Sequence, residues 1–139
     1  MKLAKTALAG VLAVPAIMGI PGIAGIANAE SAPGCSGTVQ IGSTAYIYSG
    51  GQTFASVKQF KGCGKNWAYV YVWEGYRNSH SSWNACAAIG DNNTRTLEGT
   101  QCRTKTKEVW SLGTNTLAHC TQAIGWIPDG ASAKSSERC

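Results

Sequence analysis

The sequence predicts an all-β fold, a small antiparallel sandwich or barrel stapled by three disulfides. Three features carry that expectation. All six cysteines fall from Cys35 onward, behind a start that reads as an export signal. Segments of strand length alternate with Gly-rich turn signals. Residues 66–76, "NWAYVYVWEGY", alternate with a period of two: Trp67, Tyr69, Tyr71 and Trp73 share one face, Ala68, Val70 and Val72 the other.

The start supplies the compartment. Lys2 and Lys5 precede an apolar stretch from Ala7 to about Ile26, and Ala27–Asn28–Ala29 sets small residues where a signal peptidase cuts. Residues 1–29 are therefore expected to be a cleaved secretory signal. An uncleaved anchor is the competing reading; Pro15, Pro21 and the Ala-x-Ala site argue against it. No second apolar run of spanning length follows. The expected mature chain, 30–139, is one extracellular domain without a membrane span. Loss of Lys2 and Lys5 lowers the net charge from +5 to +3, too mild and too dispersed for a typical nucleic-acid binder.

Cys35, Cys63, Cys86, Cys102, Cys120 and Cys139 form an even set in an exported chain, the pattern of a disulfide framework. Zinc sites bring ligands in close pairs, and here the nearest two cysteines are Cys86 and Cys102, so no metal is expected. Many pairings are open to six cysteines. The preferred one is Cys35–Cys63, Cys86–Cys102 and Cys120–Cys139, because each link closes a short loop. Residues 129–138, "DGASAKSSER", would form a mobile tail unless Cys139 ties them back.

Along the mature chain, 38–41 and 44–49 flank Gly42–Ser43, which suits a hairpin turn. A strand at 52–60 follows Gly50–Gly51, and the aromatic strand follows "KGCGK" at 61–65. Residues 83–89 and 116–128 are apolar strand candidates, their Ala content leaving a helix as the alternative at 83–89 or 116–124. Residues 94–112 are rich in Thr and charge. Within them "RTKTK" (103–107) would set Arg103, Lys105 and Lys107 along one strand face, either as a charged protective edge or as an anion-binding strip. Tyr46 and Tyr48 share a face; if their strand adjoins 67–73, the rings would form one ladder.

A half-solvated strand should have a polar side, and residues 67–73 have none. Either both faces are covered, or the aromatic face grips a ligand. The binding candidates are Trp67, Tyr69, Tyr71, Trp73 and Tyr76, with Lys58, Lys61 and Lys65 just before them. The expected mixed case buries the middle rings and leaves Trp73 and Tyr76 partly open.

Catalysis has thinner support. His80 sits in a polar loop, and His119 precedes Cys120 on an expected strand. No Gly-x-Ser-x-Gly element accompanies either. Glu74, Arg77 and His80 are the one close set with the groups a compact nuclease uses, though their spacing follows no motif. No Gly-rich phosphate loop, metal motif or calcium loop occurs, so no cofactor is expected.

The signal, the Gly/Ser/Thr-rich composition and "CGKNWAYVYV" (63–72) resemble small secreted proteins of actinobacteria such as Streptomyces. One uncharacterised family there carries a cysteine, a short polar step and Trp-Ala leading into a strand. The likeness spans residues 45–75, leaves Cys102, Cys120 and Cys139 outside, and implies no activity. The expected function is thus a secreted, non-catalytic binding module for a glycan, a cell-wall polymer or a protein. An inhibitor of a secreted hydrolase is the alternative, with 74–85 or 90–101 as its reactive loop, and a small nuclease or hydrolase toxin is the third reading.

Overall fold

The computed structural model describes residues 30–139; the predicted signal segment, 1–29, lies outside the described residues. The elements run β1 (Val39–Ser49), β2 (Gln52–Gly62), β3 (Lys65–Val72), α1 (Glu74–Ser79), β4 (Asn84–Asp91), β5 (Thr96–Thr104), β6 (Glu108–Trp110), β7 (Thr121–Trp126) and β8 (Ser132–Lys134). They build two antiparallel sheets, ordered β1-β2-β3-β6 and β5-β4-β7-β8. Both hairpins of the first sheet use two-residue turns with positive φ, at Gly50–Gly51 and Cys63–Gly64. That backbone twist matches the twist of the flanking strands.

Period-two alternation delivers the core. Ile47, Val57, Val70, Val72 and Val109 of the first sheet face Ala85, Ala87, Ile89 and Ala123 of the second, all buried. The small residues of the second sheet let the layers approach closely. At Gly125 a Cβ would lie 2.7 Å from methyl groups of both Val57 and Val70.

A bulge adds one more ring to this core. Ile47 pairs with Ala55 and Tyr48 with Thr53, so β2 carries one extra residue. That irregularity lets Phe54 and Ala55 both reach the interior. The ring of Phe54 meets Tyr76 of α1 edge-on at 4.7 Å, anchoring the helix.

The aromatic face of β3 is covered separately. Phe60, Trp67 and Tyr69 pack with Ala32 and Cys35 in a second cluster, flanked by Tyr71 and Trp110. The N-terminal segment is tied there by Cys35–Cys63. Trp67 also donates its indole N–H to the Gly62 carbonyl. The strand lacks a polar side because its aliphatic face meets the other sheet and most of its aromatic face meets this arm.

Cys86–Cys102 joins paired positions of β4 and β5, and Cys120–Cys139 closes the end of the chain, so all three preferred disulfides are present. The tail does more than hang from its sulfur link. β8 pairs with β7, Thr121 and Arg138 exchange backbone hydrogen bonds, and Ser135 Oγ accepts from the Ala123 amide. Ser136 Oγ accepts from the Ser43 amide, bringing the tail to β1.

Several local expectations are corrected. Gly42–Ser43 makes no hairpin; β1 runs through it as one bulged strand, with Gly42 at φ +73 pressed against Ser136. The helix lies at 74–79, while 84–91 and 121–126 are strands. β5 ends at Thr104 and Lys105 has φ 61, so Arg103, Lys105 and Lys107 do not line one strand face. β2 separates β1 from β3, so Tyr46 and Tyr48 form no single ladder with 67–73, although Tyr46 meets Trp73 edge-on.

Candidate functional site

Two places collect the side chains of interest. The first is the exposed end of the aromatic face. β3 stops at Val72, so Trp73 leaves the sheet and leads into α1. Trp73 is 41% exposed, yet its ring is fixed on two sides. The indole N–H donates to Ser56 Oγ at 2.8 Å, and the ring stands perpendicular to Tyr46 at 6.1 Å. Tyr46 is itself 44% exposed, and Tyr48 is 62% exposed. Ser56 pairs with both Tyr46 and Tyr71, forming a small-residue notch between two tyrosines. Tyr71 is half-buried, with the Arg77 guanidinium 5.8 Å above its ring and bonded to its hydroxyl.

The other candidates are dispersed. Trp67 and Tyr69 lie in the covered cluster, and Tyr76 is committed to Phe54 and to a stack with His80. Lys58 pairs with Tyr69 on the aromatic face, Lys65 reaches Asn115 Oδ1, and Lys61 projects at the end of the sandwich. The set Glu74, Arg77 and His80 is not gathered. Arg77 Nε donates to the Val72 carbonyl, His80 Nδ1 contacts the Tyr76 carbonyl and Ser79 Oγ, and Glu74 is exposed in the first turn of α1.

The second place is the end of the inter-sheet space, where the core turns polar. Gln59, Asn66, Thr116 and Thr121 are buried there. Gln59 Nε2 donates to Thr121 Oγ1, and Asn66 Nδ2 donates to Thr116 Oγ1, both at 2.8 Å. Above them opens a cleft of about 160 Å3, lined by Ile41, Lys61, Asn66, His119, Thr121 and Arg138 among others.

His119 is held in this wall by a buried carboxylate. Asp91, the last residue of β4, accepts from the His119 ring at Nδ1 over 2.7 Å through Oδ2, while its Oδ1 accepts from the amides of Asn93 and Thr94. Burial works to raise the pKa of Asp91, but hydrogen bonds from His119, Glu98 and those two amides outweigh it and lower it to about 2. An ionised carboxylate only accepts, which fixes the proton of His119 on Nδ1 and leaves Nε2 as the ring nitrogen without a carboxylate. Glu98 is pushed the other way, first by its hydrogen bond to Asp91, then by burial and by the charge of Asp91. His119 therefore lies in a turn ahead of β7 and not on a strand as expected from the sequence. Residues 90–93, "GDNN", are a local turn signal beside Asp91; the histidine partner, 28 positions away, leaves none.

The chain matches no protein-family model, no curated protein and no solved structure.

Proposed function

We propose that the chain is an exported, non-catalytic binding module that holds a polysaccharide on the surface made by Tyr46, Tyr71 and Trp73. The observation that carries this reading is Trp73, an indole open to solvent but locked by Ser56 and Tyr46. A pre-fixed ring loses little conformational freedom when a ligand stacks on it. Its electron-rich face suits the C–H-bearing face of a sugar ring. The Tyr46 and Tyr71 hydroxyls and Arg77 supply polar groups at the margin, as orientation-selective sites require. Export is supported by the signal-like start and by three disulfides, which persist in oxidising compartments. Among the described residues no helix is long and apolar enough to cross a membrane.

The test is retention of the purified protein on insoluble chitin, cellulose and peptidoglycan. Retention on one of them, weakened about tenfold in Trp73→Ala with an unchanged melting temperature, supports the reading. No retention on any of the three overturns it, as does stoichiometric inhibition of a secreted protease or amylase by a protein that ignores glycans.

A further inference from the structure

The cleft at the polar end of the sandwich has features that the fold does not use. Lys61 and Arg138 are exposed at its rim, and among the described residues neither is in an ion pair. His119 stands in the wall with its Nδ1 taken by Asp91. On the floor, Asn66 spends its amide N–H groups on Thr116 and Thr121, but its buried Oδ1 meets no donor. Buried acceptors are nearly always satisfied, so an orphan beside a cleft calls for a partner. Asn66 lines the same cleft, so positive charge stands at its mouth and the residue with the unmet acceptor at its base.

A ligand matching both features carries an anion at one end and an O–H donor at the other. The volume restricts it further. About 160 Å3 is close to the cavity size that takes one six-membered ring. We propose that this cleft binds a single uronic-acid-type sugar, its carboxylate between Lys61 and Arg138 and a ring hydroxyl donating to Asn66 Oδ1. Thr121 and His119 also line the wall, beside the remaining hydroxyls. Two cations flanking one carboxylate provide charge-assisted hydrogen bonds, the strongest class available at such a rim. The proposal does not depend on the aromatic surface, because Lys61–Asn66 and Ser56–Tyr71 lie at opposite ends of the β2–β3 ladder.

Amide chemical-shift titration of the intact domain with glucuronate, glucose and inorganic phosphate at low ionic strength decides the matter. Glucuronate is expected to shift Asn66, Thr121 and the His119 ring. Glucose lacks the anion, and phosphate lacks a donor held at the far end of a ring from its charge, so each is expected to bind about tenfold more weakly or not at all. Lys61→Ala and Arg138→Ala, both at exposed positions, should each weaken glucuronate about tenfold, whereas Trp73→Ala should leave it unchanged. The proposal is overturned if glucuronate shifts nothing at concentrations on the order of 10 mM. It also fails if phosphate binds as tightly as glucuronate, because the cleft then senses charge alone.

Discussion

Trp73 donates its indole N–H to Ser56 Oγ at 2.8 Å, across a residue that is itself paired with Tyr46 on one side and Tyr71 on the other. Only a small side chain at 56 leaves room for the indole edge while also supplying the acceptor. The notch sets the orientation of the most exposed tryptophan contact on this face. Ser56→Ala should keep the notch and lose the anchor. The expected cost is about 1 kcal/mol, read as a small drop in melting temperature. The Trp73 indole N–H should exchange faster with solvent, and glycan retention should weaken. An indole signal as protected as in the parent would mean that the bond does not hold the ring.

The approach of the two sheets gives a second prediction. Gly125 faces Val57 and Val70 with no room for even a methyl group. Gly125→Ala should destabilise the domain by about 1–3 kcal/mol through overpacking. Adding Val57→Ala should recover part of the loss, because the added methyl would then meet a vacated position. Urea unfolding of the two single variants and the double variant measures this coupling. Simple additivity would show that the layers separate to absorb the methyl.

These sites differ in how far the sequence foretells them. The alternation at 67–72, the Gly50–Gly51 pair before β2 and the Gly-Cys-Gly run at its end are local signals, and they specify strands and turns correctly. The short loops between successive cysteines likewise point to the pairing found. Gly42 misleads because its positive φ serves a bulge pressed by Ser136, a contact that no local pattern encodes. Residues 74–79 lack helical periodicity, and α1 is anchored by Tyr76 against a ring that reaches the core through the bulge at Phe54. The polar cleft is drawn from Lys61, Asn66, His119 and Arg138, which meet only once two sheets and a returning tail are assembled.

The tail yields a third prediction. Cys120–Cys139 closes a loop of 19 positions that contains β8. In the chain-entropy account such a link contributes roughly 3 kcal/mol. Cys120→Ser with Cys139→Ser should lower the urea midpoint accordingly. Because β8 is short and at an edge, exchange protection at Ser135 and Arg138 should fall before that of β4. Equal loss across both sheets would mean that the link stabilises the whole fold and not the tail in particular.

The Asp91–Glu98–His119 cluster predicts an unusual pH profile. Asp91 has its pKa lowered from 3.8 to about 2 in the folded protein. Between those values the unfolded chain binds more protons, so stability rises with pH. This contribution is complete above 3.8 and is lost as the pH falls through about 2. Glu98 has its pKa raised above 4.5, chiefly by its hydrogen bond to Asp91. From 4.5 upward the folded state holds the extra proton, so stability falls as the pH rises until Glu98 ionises. The two slopes meet near pH 4, and from this cluster the melting temperature is expected to peak there. Glu98→Gln keeps a donor for Asp91 and removes the charge, so it should abolish the decline above 4.5 and raise the melting temperature at neutral pH. Asp91→Asn should flatten the acid limb and loosen the His119 ring, whose NMR signals would then broaden. A melting curve for Glu98→Gln that parallels the parent at every pH would show that Asp91 and Glu98 do not share a proton.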